Sequence, residues 1–159
     1  MSLDNEYQIK LNKQYEFFDV TADIGFFAYG QTLEEAFENS GLAMFNVISN
    51  TSNVNNDKEF TIEIESEDLV SLLYDYLEEL LFLSDVNFML FSDFDLSISK
   101  GDKNLENPYK LKGVVKGENM DWNKHQRGSE VKAITFHMME VLEKNEYFMT
   151  RVILDLWFL

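Results

Sequence analysis

The chain predicts an α+β domain, two helices packed on one mostly antiparallel β-sheet, and three observations predict it. Two segments in its first half carry apolar residues at helical spacing behind recognisable start signals. Most of the rest alternates apolar and polar residues with the period of two of a half-buried strand. The order is two strands, helix, strand, helix and then four strands, which segregates helices from most strands and argues for α+β over an alternating parallel fold.

Each element has its own warrant. Tyr15 to Val20 is rich in aromatic residues and reads as a strand; after Thr21-Ala22-Asp23 a second run, Ile24 to Tyr29, ends at Gly30. This is either a strand pair or one strand with a sharp break. Thr32 stands three residues before Glu35, the spacing at which hydroxyl and carboxylate satisfy the free N–H groups of a helix start. Leu33, Ala36, Phe37, Gly41, Met44, Phe45 and Ile48 continue the helix to about Ser49. Phe60, Ile62 and Ile64 alternate with Thr61, Glu63 and Glu65 as a strand, and Ser66 is the expected N-cap of a second helix. Leu69, Leu72, Leu73, Tyr76, Leu77, Leu80 and Leu81 form its apolar stripe. Phe94, Leu96 and Ile98 lie on one face of a strand that ends at Gly101-Asp102, and Tyr109 to Lys116 alternates again. Gly117 to Gly128 reads as a polar loop, followed by strands over Val131 to Leu142 and Tyr147 to Leu159. With one proline and no Gly/Ser-rich linker, the 159 residues read as a single domain, 1–159.

Composition limits the function. The apolar fraction of 45% and aromatic fraction of 14% favour a folded core over disorder. The absence of cysteine removes disulfides, thiolate metal sites and cysteine nucleophiles. With two histidines, His125 and His137, any metal site must rely on oxygen ligands, which suits calcium, magnesium or manganese. A formal net charge of -16 repels a phosphate backbone, so tight nucleic-acid binding by the chain alone is not expected, whereas cations or a basic partner would be attracted. Met-Ser-Leu-Asp-Asn-Glu at the start lacks the basic and apolar regions of a signal peptide, and no run reaches the ~20 apolar residues of a membrane helix. The cytoplasm is the expected compartment.

The closing run Val-Ile-Leu-Asp-Leu-Trp-Phe-Leu, 152–159, poses the sharpest chemical question. Asp155 has Ile153 and Trp157 on its own face and Val152, Leu154 and Leu156 on the other, so neither face reads as wet. An unpaired buried carboxylate costs several kcal/mol, so Asp155 either sits on an exposed edge or has a compensating partner. Asp23 is a turn cap or a second carboxylate for the same site, and two carboxylates brought together favour a hard cation between them. Lys132 shares its expected face with Ile134 and Phe136; it either snorkels to solvent or pairs with one of these acids. His137 falls with Ala133 and Thr135, where a structural hydrogen-bonded histidine is the ordinary reading. Asp93 and Asp95 read as the wet face of a strand. There is no phosphate loop, nucleophile elbow, His-Glu-x-x-His or twelve-residue calcium loop.

Thr21-Ala22-Asp23-Ile24-Gly25, Ala28-Tyr29-Gly30 and the helix from Leu33 to Asn39 resemble the N-terminal signature of the archease family. Gly117-Glu118, the loop His125, Gly128 to His137 and Val152 to Leu156 resemble its C-terminal half, in the family's order. The resemblance implies an accessory protein of the RtcB-type RNA ligase. That enzyme joins 2′,3′-cyclic-phosphate or 3′-phosphate ends to 5′-hydroxyl ends in tRNA splicing and RNA repair. It further implies that the chain promotes the ligase's GTP-dependent guanylylation and multiple turnover, without being an enzyme itself. The family's divalent cation site, with calcium foremost, maps onto Asp23, Asp155 and the backbone carbonyl of Leu156; the family's functional lysine maps onto Lys132, and His137 is a further candidate for partner contact. One position departs from the pattern: the family motif begins His-Thr-Ala-Asp, and this chain has Val20 before Thr21. Two other classes stay open, a stand-alone metal-dependent phosphoester hydrolase with His137 as its base and a metal-independent chaperone-like binding module.

Overall fold

The computed structural model describes residues 13–157; the start of the chain, read above for a signal peptide, and Phe158 and Leu159 lie outside them. The elements are β1 (Tyr15–Val20), β2 (Asp23–Gly30), α1 (Leu33–Ile48), β3 (Lys58–Ser66), α2 (Leu69–Asn87), β4 (Met89–Lys100), β5 (Tyr109–Asn119), β6 (Val131–Lys144) and β7 (Tyr147–Leu156). The expected α+β class and element order are observed. The strands, however, divide into two antiparallel sheets rather than one: β1-β2-β7-β6 and β3-β5-β4. Both helices contact both sheets. That explains why α1 is buried on nearly all sides, with Ala36, Phe37, Ser40, Gly41, Met44, Phe45 and Ile48 all inside, and not along a single stripe. Phe26, Val152 and Leu154 from one sheet, Ile62, Leu111 and Phe91 from the other, and Phe37, Leu72 and Tyr76 from the helices belong to one continuous apolar cluster. No helix among the described residues is long and apolar enough to cross a membrane.

Local chemistry accounts for most boundaries. Thr21-Ala22 closes a two-residue hairpin between β1 and β2, with Ala22 at φ 67°, a left-handed conformation that an L-residue adopts at a cost of about 1–2 kcal/mol. The ring of Phe18 lies across Gly25 on the neighbouring strand, where a β-carbon would collide with it. Thr32 caps α1, its Oγ1 accepting from the Glu35 N–H at 3.1 Å, while the Glu35 carboxylate accepts from Gln31 N–H at 3.4 Å. At α2 the cap is Asp68 and not Ser66: Asp68 Oδ1 accepts from Ser71 N–H at 2.7 Å. Ser66 is still the last residue of β3, and its hydroxyl donates to Asp75 at 2.6 Å, bracing strand against helix. α2 stops at Phe88, whose left-handed φ of 54° directs the chain straight into β4.

Two further expectations change. β5 runs on through Gly117 to Asn119, so the loop begins only after that. β6 is not a regular strand: Val131 pairs with Leu156 but Ala133 with Asp155, leaving Lys132 as an extra residue, and five steps from Thr135 to Glu140 match two steps on β7. The larger bulge, 136–139, includes Met138 at φ 58°. Its backbone is held by Arg151, whose Nε donates to the Met138 carbonyl at 2.8 Å. The expected wet face of β4 is present in the other sheet, where Glu65 and Glu63 pair across β3–β5 with Lys110 and Lys112 at 3.1 and 3.9 Å, and Asp93 stands opposite Lys116.

Candidate functional site

β7 is buried on both faces over Val152, Ile153 and Leu154, all 2% exposed or less. It emerges at Asp155, which is half-buried, and Trp157 beyond it is 51% exposed. Asp155 is therefore neither a fully buried charge nor an ordinary solvent-facing one. The register fixes its neighbours: Asp155 lies directly opposite Asp23 on β2 and Ala133 on β6, and Asp23 lies opposite Val20 on β1. Val20, Asp23, Asp155 and Ala133 thus form one cross-strand row on one face at the end of the four-stranded sheet. Directly opposed residues on antiparallel strands have β-carbons about 4.5–5.5 Å apart, and like charges there destabilise the pair.

Among the described residues, nothing basic neutralises this pair. Among the described residues, no lysine, arginine or histidine lies within ion-pair distance of Asp23 or Asp155. Lys132 is the nearest candidate in sequence terms, one residue from Ala133, yet its ammonium sits over the Trp157 ring at 4.7 Å from the centroid. The single-residue bulge explains this. Strict alternation would place Lys132 with Ile134 facing the core; the extra residue lets Val131 and Ile134 both point inward, each about one-twentieth exposed, while Lys132 stays exposed. Trp157 was not recognised as its partner, although an aromatic residue two positions beyond Asp155 on the same face was the available signal.

The donor set suits a hard cation. Two carboxylates and the adjacent Leu156 carbonyl are oxygen ligands of the kind calcium and magnesium take. Among the described residues no group of three or more His, Asp and Glu side chains converges, so a cation here would have most of its six to eight positions filled by backbone carbonyls, water or another molecule.

The two histidines part company. His137 is exposed in the 136–139 bulge, beyond the row that contains Asp23 and Asp155, and the structure does not bring it into register with them. Its neighbour Phe136 stacks on Tyr74 of α2 at 3.9 Å and 10°. His125 is 3% exposed and structural. Its Nδ1 accepts from Asp121 N–H at 2.9 Å, so the proton resides on Nε2 and is donated to Glu118 at 2.8 Å. Glu118 also accepts from Lys124 at 2.5 Å and from Asn55 N–H at 3.1 Å. These donors, Lys124 foremost, hold its carboxyl down at about 2 against an ordinary 4.5. A pKa lower in the folded state gives stability that is complete above about 4.5 and lost as pH falls toward 2. Glu118→Gln is therefore expected to destabilise the protein at neutral pH by an amount that shrinks steadily below pH 4.5, as urea unfolding across that range would show.

Residues 15–156 match the archease protein family. A protein archease from Methanothermobacter thermautotrophicus is 54% identical over 144 residues, 91% of this chain and 99% of its own length. One from Pyrococcus furiosus is 47% identical over 129 residues, 81% and 88% of the two chains. Among solved structures, the solution structure of Methanobacterium thermoautotrophicum protein 1598 superposes with a TM-score of 0.78 at 52% identity, covering 89% of this chain and 98% of that one. The crystal structure of an archease from Thermotoga maritima, described as a possible chaperone, shares the fold with a TM-score of 0.56 at 17% identity, covering 87% and 94%. The matched span includes both end motifs and every residue of the cross-strand row, and the chain belongs to the archease family.

Proposed function

We propose that this protein is an accessory activator of an RtcB-type RNA ligase, acting through a divalent cation, calcium foremost, held by Asp23, Asp155 and the Leu156 carbonyl. The observation that carries the reading is the direct cross-strand opposition of two carboxylates with no basic side chain in ion-pair distance among the described residues. A bound cation supplies positive charge and coordination positions that this chain's side chains leave open. Asp23 and Asp155 hold it at the end of a rigid sheet. Lys132, exposed and steadied by Trp157, offers a second positive charge to an anionic group of the partner's site. The excess of 29 acidic over 13 basic side chains suits a partner that must be positive to hold RNA, and a cytoplasmic setting accords with tRNA repair. The hydrolase reading would need a base beside the acidic pair, and His137 is not placed there.

The test is multiple-turnover joining of a 3′-phosphate RNA end to a 5′-hydroxyl end by the ligase from the same source. Addition of this protein is expected to raise turnover, and Asp23→Ala, Asp155→Ala and Lys132→Ala each to reduce that stimulation by roughly tenfold or more while circular dichroism stays native. Full stimulation by all three variants would contradict the proposal. Phosphoester turnover by the purified chain alone, lost in Asp155→Ala, would move the assignment to a hydrolase.

A further inference from the structure

A cleft of about 320 Å3 opens where the C-terminal end of α2 meets the loop between β5 and β6, lined among others by Asp85, Phe88, Trp122, Arg127 and Glu130. Its size is at the small end of ligand sites, enough for a side chain or a single ring. It lies on the core side of the first residues of β6, whereas the acidic row lies on the outer face. Two features of its wall have no internal purpose. Phe88 occupies a left-handed position where glycine is usual, and its ring is 69% exposed. Asp85 and Glu130 both line the cleft with no ion-paired cation among the described residues, and partial burial together with Glu130 pushes the Asp85 carboxyl up.

The wall also shows which chemistry it accepts. The Arg127 guanidinium already rests on the Trp122 ring at 4.4 Å, so this indole is a working cation platform. The loop is fixed before any ligand arrives. His125 and Glu118 anchor it, Ser49 Oγ donates to the Gln126 carbonyl at 2.6 Å, and Gly128 and Ser129 N–H groups cap the last carbonyls of α1 at 2.9 Å. A preformed site loses less on binding.

We propose that this cleft receives an arginine side chain from a basic segment of a partner protein, its guanidinium at Asp85 and Glu130 and an apolar neighbour on Phe88. Charge complementarity selects a cation, because two carboxylates against one arginine, Arg127, line the space, Arg127 is stacked on Trp122, and the whole chain carries -16. The paired oxygen acceptors select a planar, forked cation over a lysine ammonium. The inference does not rest on the ligase reading, and its test involves neither ligase nor metal.

The full chain, labelled with 15N, would be titrated with acetyl-Leu-Arg-Leu-amide, with the same peptide carrying citrulline, and with guanosine, while the Trp122 indole N–H is followed by NMR and that of Trp157 serves as reference. The arginine peptide is expected to shift Trp122 with roughly millimolar affinity, and the neutral citrulline peptide to bind about tenfold more weakly. Asp85→Asn combined with Glu130→Gln is expected to abolish that preference. Phe88→Gly is expected to weaken binding while raising the thermal midpoint, the reverse of what a purely structural role would give. Equal affinity for the arginine and citrulline peptides, no shift of Trp122 up to about 10 mM peptide, or tighter binding of guanosine would overturn the proposal.

Discussion

Gly117→Ala is expected to cost about 3 kcal/mol of folding stability, a large share of a small domain's total. Gly117 sits in β5, the central strand of the three-stranded sheet, paired with Lys58 on one side and Phe91 on the other. Opposite it β4 is irregular: Phe91 pairs with Gly117 and Asp93 with Lys116, so Ser92 is an extra residue. The bulge drives the Leu90 carbonyl against the Gly117 α-carbon, where a β-carbon would lie well inside van der Waals contact with that backbone oxygen. Backbone cannot swing aside as a flexible side chain can, and a central strand has no free edge to move toward. The Ser92 hydroxyl is bonded to the Val54 carbonyl and to Asn56, which ties the bulge to the preceding loop as well. Urea unfolding would show the loss as a lower midpoint at unchanged slope.

Asp155→Asn is expected to change stability in opposite directions depending on calcium. In chelator, wild-type protein carries two directly opposed carboxylates, a repulsion of about 0.2–1 kcal/mol that the amide relieves, so the variant should unfold at the higher temperature. With calcium at about a hundred times its dissociation constant, the wild type should gain about 2.7 kcal/mol and overtake the variant, which lacks one of the two proposed carboxylate ligands. Thermal scans of both proteins with and without calcium read this inversion directly. A variant less stable than wild type in chelator would show that Asp155 serves the fold through contacts other than those described above.

What the sequence revealed about the fold was local. The helix start at Thr32 depends on Glu35 three residues on, and the structure has that bond. The second start failed because Ser66 and Asp68 are both competent caps; β3 claims Ser66 as its last ladder residue, and the cap shifts to Asp68. Gly117 misled for a related reason. A glycine after an alternating strand reads as a turn, yet here it permits close backbone approach inside the strand. Periodicity also assumes one residue per step, so the bulges at Lys132, Ser92 and 136–139 were invisible to it, and with them the true face of Lys132. Which strands pair is nonlocal, so a division into two sheets with β5 between β3 and β4 left no periodic trace.

The candidate site was legible in an uneven way. Asp155 stood out because its neighbours are apolar on both faces, and the structure explains the ambiguity: the strand is buried until the residue before it and half-open at it. That Asp23 is its neighbour came from the family resemblance, since pairing between the first hairpin and the last strand leaves no local mark. The row also gives Val20 a meaning. It lies directly opposite Asp23, so the position where the family motif has histidine adjoins the acidic pair.

The central claim is a cation shared by Asp23 and Asp155, and calorimetric titration of calcium into the full chain tests it most directly. Wild-type protein is expected to bind one ion per chain, and the double variant Asp23→Asn, Asp155→Asn to show no binding at that site while retaining a native circular dichroism spectrum. Equal heats of binding in the two proteins, or none in the wild type with calcium, magnesium or manganese, would contradict it.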